Sequence, residues 1–188
     1  METVRSFIAI PIDKRIQQTL KAIQDDLRKT GADVKWVDPQ AIHLTLKFLG
    51  EVSLPQIETV KRILADGLNQ VHAFDCEVAG LGAFPNMNNP RIIWTGFKKG
   101  GEEMKSLAFL LETQLQSAGF PPEEREFHPH ITLGRLRSDH NQFALIKLLK
   151  NYPAPLDFNQ HVDKIILFKS TLNSSGPIYE TLQEFPLK

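Results

Sequence analysis

The chain is expected to fold as α+β, with antiparallel sheets and helices laid outside them. Three observations lead there. Apolar runs with strand-like alternation come in hairpin pairs, helical spacings intervene between them, and a His-x-Thr strand is written twice, as HLTLKFLG (43–50) and HITLGRL (130–136).

FIAIPI (7–12) reads as a buried strand, and Ile16, Leu20, Ile23 and Leu27 then recur at helical spacing until Gly31 supplies a stop. VKWV (34–37) and IHLTLKFL (42–49) read as strands, after which Ile57, Val60, Leu64 and Leu68 mark a helix beginning near Pro55. Residues 72–84 and RIIWTGF (91–97) predict a hairpin joined by PNMNNP, whose Asn and Pro residues suit a turn rather than either ladder. Met104, Leu107, Leu111 and Leu115 give a third helix ending at Gly119, with Pro121 and Pro122 blocking its continuation. A short helix is expected around 140–151 with Phe143, Ile146 and Leu149 inward, closed by Pro153 and Pro155. IILFKSTL (165–172) and IYETLQEF (178–185) predict a last hairpin about NSSGP. The two histidine strands would each head one of two related lobes. No long linker separates them, so residues 1–188 are expected to form a single bilobal domain with any site between the lobes.

Composition narrows the function. At 188 residues and 41% hydrophobic, the chain is long and apolar enough to bury a core. Its 22 Lys and Arg balance 22 Asp and Glu, so no field of one sign exists to grip a long nucleic-acid backbone, and any such contact should be local. The single Cys76 cannot form an internal disulfide, which fits a reducing cytoplasm. FIAIPI, interrupted by Pro11, is too short for a signal core or a membrane span, so no membrane role is expected. Asn173-Ser174-Ser175 matches a glycosylation acceptor but is better read as turn chemistry before Gly176.

Strand alternation puts His43, Thr45 and Lys47 on one face, opposite Leu44, Leu46 and Phe48; His130 and Thr132 likewise share a face opposite Ile131 and Leu133. Opposed across a cleft, those faces would hold two imidazoles, two hydroxyls and Arg135, a set suited to phosphate. An imidazole reference pKa of roughly 6.5 lets one ring accept a proton while the other donates one. In-line displacement at phosphorus needs the two on opposite sides of the reacting atom. Thr45 and Thr132 can hydrogen-bond the non-bridging oxygens, and Arg135 adds charge, so this chemistry calls for no metal or other cofactor. A single His-x-Thr in a strand is usually structural; recurrence of the pair is what propensity does not explain. His128 and His130 could form a metal-binding His-x-His, but no Cys or acidic residue is spaced to complete a site. His72, His140 and His161 read as surface residues without partners, and Trp36, Phe48 and Trp94 as core.

The ordered segments RSFIAIPI, VKWVDPQAIHLTLKFLGEV, FPNMNNPRIIWTGF, FHPHITLGRL and LFKSTLNSSGPIYETL resemble the two-histidine phosphoesterases over nearly the whole chain, and within them the RNA 2′,3′-cyclic phosphodiesterases, historically called 2′-5′ RNA ligases. The resemblance implies a bilobal fold of two antiparallel sheets with outer helices, pseudo-twofold symmetry and an active-site cleft. It implies hydrolysis of an RNA 2′,3′-cyclic phosphate terminus to a 2′-phosphomonoester, with His43 as proton donor to the departing 3′-oxygen and His130 as base toward water. Thr45 and Thr132 would hold the phosphate, Arg135 matches the basic residue after the second motif, and reversal through a 2′-5′ linkage uses the same pair. The partner expected is thus RNA with a cyclic phosphate end, met by a monomer. Two other readings keep the same residues: a phosphodiesterase for small cyclic nucleotides such as an ADP-ribose cyclic phosphate, or a module that holds phosphate without turnover. Loops 85–90 and 173–177 are the segments placed to touch nucleic acid.

Overall fold

The structure, a computed structural model, describes residues 2–152, 158–173 and 176–188. In chain order its elements are β1 (Thr3–Pro11), α1 (Lys14–Arg28), β2 (Val34–Trp36), β3 (His43–Ser53), α2 (Leu54–Gly67), β4 (Phe74–Asn86), β5 (Asn89–Lys99), α3 (Gly101–Ser117), β6 (Ile131–Leu136), α4 (Gln142–Lys150), β7 (Phe158–Val162), β8 (Lys164–Asn173) and β9 (Gly176–Pro186). All pairings are antiparallel and form two sheets, ordered β3-β1-β8-β9 and β2-β6-β5-β4-β7. Each sheet therefore carries one histidine motif, and β3 and β6 touch where the sheets meet.

The helices follow their apolar stripes. α1 buries Ile16, Leu20, Ile23 and Leu27, and Gly31 follows it at φ 70°. α2 opens with a capping box in which the Ser53 N–H donates to Gln56 Oε1 at 2.9 Å. α3 buries Met104, Leu107, Leu111 and Leu115. These stripes and the apolar faces of both sheets make one continuous core. Two buried glutamines tie it to the motif strands and across the sheets. Gln24 Nε2 donates to the carbonyls of Val37 and Leu133, each at 2.8 Å, so α1 holds the second motif strand directly. Gln160 Nε2 donates to the Pro11 carbonyl at 2.8 Å while its Oε1 accepts from the Asp13 N–H at 3.0 Å, joining β7 of one sheet to the end of β1 in the other. A polar residue at this inward position explains why β7 is not visible as an apolar strand pattern.

Five expectations need correction. Lys47 does not share a face with His43 and Thr45. Along β3 the partners run Ala9↔Thr45 and then Ile8↔Lys47, so Leu46 is an extra residue, a β-bulge, and Leu46 and Lys47 both turn inward. Lys47 is 3% exposed, its ammonium 2.9 Å from Glu112 on α3 and 2.8 Å from the Pro121 carbonyl. The flip turns Phe48 outward instead, 56% exposed rather than in the core. In α4 Leu149 is buried as expected, but its partner in the stripe is Leu145, one turn earlier at i,i+4, which leaves Phe143 81% exposed. The PNMNNP segment is mostly ladder: Pro85 pairs with Pro90 and Asn86 with Asn89, leaving Met87 and Asn88 as the turn, whose N–H groups at Asn88 and Asn89 donate to Asn86 Oδ1 at 2.9 and 3.0 Å. His161 has a partner, Asp75, at 2.8 Å through Nδ1. Pro153, Pro155 and the Ser174-Ser175 part of the last turn lie outside the described residues.

A buried ammonium that loses its carboxylate is left uncompensated. Glu112→Ala is therefore expected to destabilise the fold by about 3 kcal/mol, read from urea denaturation. The double replacement Lys47→Met with Glu112→Leu should recover most of that loss; equal instability of the single and double variants would show that the pair is not the cause.

Candidate active site

Each histidine is set by the same local device. His43 opens β3 and His130 immediately precedes β6, so each ring stands where an irregular segment enters a strand. In each, Nδ1 lies 2.7 Å from the main-chain carbonyl two residues earlier, Ala41 for His43 and His128 for His130. A carbonyl only accepts, so Nδ1 carries the hydrogen in both rings, and the neutral form leaves its lone pair on Nε2. Among the described residues neither Nε2 has a partner.

Aromatic rings wall both imidazoles. Phe7 stacks on His43 with centroids 4.7 Å apart and planes at 29°, and Tyr179 meets it edge-on at 5.1 Å. Phe168 completes that wall 5.2 Å from Phe7. On the other side Phe84 meets His130 edge-on at 5.0 Å, and Trp94 lies 5.1 Å from Phe84. Gly82 makes room for that indole, since a Cβ there would come within 2.3 Å of the Trp94 ring. Burial pushes both histidines below the ordinary imidazole pKa, partly opposed by the carbonyl each donates to; at His130 the charges of His128 and Arg135 push further down. Both rings thus favour the neutral form more than a free imidazole does.

The second motif strand carries the same bulge as the first. Trp94 pairs with Thr132 and Ile93 with Gly134, so Leu133 is the extra residue, and Leu133 and Gly134 are both buried. Ile92 then pairs with Arg135, which restores Arg135 to the face of Thr132 although three positions separate them. Unbroken alternation would have sent it to the opposite face. Residues 43–48 and 130–135 are therefore equivalent one by one, with Arg135 at the place of Phe48 and Gly134 at that of Lys47. Gly134 is required where Lys47 is not: a Cβ there would stand 2.6 Å from Val34 and 2.9 Å from the Trp36 ring.

The five residues picked from sequence thus fall on the cleft faces of two touching strands. The hydroxyls of Thr45 and Thr132 have no hydrogen-bond partner among the described residues and are available to a ligand. Arg135 links the two halves electrostatically: its charge acts on His130 and also on Tyr179, the ring against His43. Burial raises the Tyr179 phenol above its usual range, and Arg135 and Arg5 pull it back. Sequence reasoning missed Phe7, Phe84, Phe168 and Tyr179 and assigned Trp94 to the core. Parity alone could have aligned Phe7, Ala9 and Pro11; the register of the last hairpin, which sets Ser170 opposite Tyr179, has no signature in the sequence. Two cleft faces bearing unpartnered hydroxyls, free Nε2 atoms and one guanidinium can bind an anion and pass protons at either side of it.

Known proteins resemble this chain in sequence and in fold. The LigT like Phosphoesterase family matches residues 10–94 and 98–179, including both motif strands. A protein of Aeropyrum pernix named RNA 2′,3′-cyclic phosphodiesterase is 39% identical over 165 residues, covering 88% of this chain and 93% of its own length. One of the same name from Methanothermobacter thermautotrophicus is 32% identical, covering 98% and 99%. The crystal structure of E. coli LigT complexed with 3′-AMP superposes with a TM-score of 0.81 at 23% identity over 99% of each chain, which supports the fold. By sequence over both halves and by fold over its whole length, the chain belongs to the LigT-like phosphoesterase family.

Proposed function

We propose that this protein is an RNA 2′,3′-cyclic phosphodiesterase that opens the terminal cyclic phosphate to a 2′-phosphomonoester. The observation that carries the reading is the matched pair of imidazoles, each locked by a carbonyl at 2.7 Å so that Nε2 is left to the cleft. The names of its relatives support RNA as the substrate.

His130 Nε2 takes a proton from water, and the resulting hydroxide attacks phosphorus in line with the bond to the 3′-oxygen. As the P–O3′ bond breaks, the electron pair stays on O3′ and His43 Nε2–H supplies its proton. The P–O2′ bond survives, giving a 3′-hydroxyl and a 2′-phosphate. Solvent then returns a proton to His43 and removes one from His130. Thr45 and Thr132 donate hydrogen bonds to the non-bridging oxygens, and Arg135 offsets the charge that builds on them. The reverse route, in which a hydroxyl end attacks, would make a 2′-5′ linkage through the same two rings. No step calls for a second subunit, so we read the whole chain as one catalytic unit acting as a monomer. The Cys76 thiol, pushed up to about 11 chiefly by burial, is inert, in keeping with a cytoplasmic enzyme. No helix among the described residues is long and apolar enough to cross a membrane.

Incubated in EDTA with a short RNA ending in a 2′,3′-cyclic phosphate, the wild type should yield a 2′-phosphate. His43→Ala and His130→Ala should each lose at least about 100-fold in kcat, and Arg135→Ala a similar factor through lost charge stabilisation. Turnover that survives either histidine change would refute the mechanism; binding without turnover by the wild type would identify a phosphate-holding module.

The pH profiles carry a sign. Burial lowers both histidines in the free enzyme, whereas a bound phosphate anion favours their protonated forms. Because kcat/KM reports the free enzyme and kcat the complex, both curves should be bell-shaped, with the kcat bell displaced toward alkaline pH. Superimposed bells, or a kcat bell on the acidic side, would show that the anion does not sit against these rings.

A further inference from the structure

We propose that Gln24, a core residue of α1, is a positioning residue for the reaction: its amide locks the bulge at Leu133 and so keeps Arg135 turned to the phosphate. This rests on the phosphodiesterase reading above and deepens it by naming what holds the guanidinium in place.

The bulge creates the need. Because Trp94 pairs with Thr132 and Ile93 with Gly134, Leu133 has no place in the β5–β6 ladder. Its carbonyl serves the opposite flank, accepting from the Val37 N–H at 2.9 Å and from Gln24 Nε2 at 2.8 Å. The second hydrogen of Nε2 goes to the Val37 carbonyl, also at 2.8 Å. One amide therefore closes a ring of hydrogen bonds between the bulged residue and the segment that leads from β2 toward His43. Both neighbours are carbonyls, which only accept, so the amide has a single orientation.

Satisfying backbone groups does not account for this arrangement. The Leu133 carbonyl already has the Val37 N–H, and seating Gln24 Nε2 there leaves Oε1 buried without a partner, at a net cost. Gln24 is 0% exposed and lies between Leu20 and Leu27 on the inward stripe, where an apolar side chain would pack without that cost. What the amide adds is a fixed bulge.

The two motif strands meet the same need differently. In β3 the residue after the bulge is Lys47, whose ammonium anchors it to Glu112 and to the Pro121 carbonyl. In β6 that residue is Gly134, where Val34 and Trp36 approach too closely for a side chain, so the lock comes from another element. A bulge reverses the facing only of what lies beyond it: His130 and Thr132 precede Leu133, and Arg135 follows. Loosening it displaces the guanidinium while imidazole and hydroxyl stay, and a shift of about 1 Å in such a group can cost roughly 100-fold in rate.

Double-mutant cycles on hydrolysis of an RNA ending in a 2′,3′-cyclic phosphate test the role. Gln24→Met, close in volume and without a donor, should lower kcat by about 10-fold to 100-fold, with the same division between kcat and KM as Arg135→Ala. Combined with Arg135→Ala it should cost almost nothing more; combined with Thr45→Ala, on the other motif strand, it should cost its full factor. Leu20→Ala, a core change one turn away on α1, should lower the thermal midpoint at least as far and leave kcat of the folded enzyme unchanged. An equal factor in both backgrounds, a matching loss in Leu20→Ala, or full activity in Gln24→Met would overturn the proposal. Should Gln24→Met not fold, Gln24→Asn, whose amide stops one methylene short of the carbonyls, enters the same cycles; loss of the fold in both would make Gln24 purely structural and overturn the proposal as well. A wild type that leaves the cyclic phosphate intact would sink the phosphodiesterase reading and this role with it.

Discussion

The extra residue just past the threonine of each motif strand governs what the cleft contains. Leu46 and Leu133 are both bulged residues, each one position past the threonine of its motif. A bulge turns two successive side chains to one face and reverses the parity of everything after it. In β3 this sends Lys47 inward to Glu112 and Phe48 outward to the cleft; in β6 it brings Arg135 round to the side of Thr132. Without the two bulges the first strand would offer an ammonium to the cleft and the second would withdraw its guanidinium. The same distortion thus assigns a core ion pair, an aromatic rim and the guanidinium that the proposed mechanism turns to phosphate.

The two halves share a mechanism for presenting an imidazole, then differ in what they place beyond it. A main-chain carbonyl orients each ring and fixes its tautomer, and neighbouring rings strip water from it. Desolvation favours the neutral form while the carbonyl bond favours the protonated one, a balance that suits the proton transfers proposed for the two rings. The equivalence ends at the sixth motif position, where one half has Phe48 and the other Arg135. The proposed mechanism, with a water-attack side and a leaving-oxygen side, needs such an inequality, because two identical halves would bind an asymmetric substrate in two orientations.

Much of this was legible in the chain. Periodicity located α1, α2 and α3 with their inward residues, because a helix buries side chains at a spacing that neighbours in sequence reveal. The repeated His-x-Thr pair singled out His43, Thr45, His130 and Thr132 as candidates, since residue type and local alternation suffice as far as the threonine. Beyond that point the register between strands controlled the outcome. Lys47 and Phe48 exchanged places, Pro85 and Pro90 joined a ladder, and β7 formed around a buried Gln160 whose partners are Pro11 and Asp13, far away in sequence. Chain order and side-chain chemistry name the candidate groups, whereas bulges, hairpin register and the ring walls of Phe7, Phe84, Phe168 and Tyr179 come from contacts between distant segments. Those contacts depend on how two sheets pack over a common core, and no window of neighbouring residues contains that information.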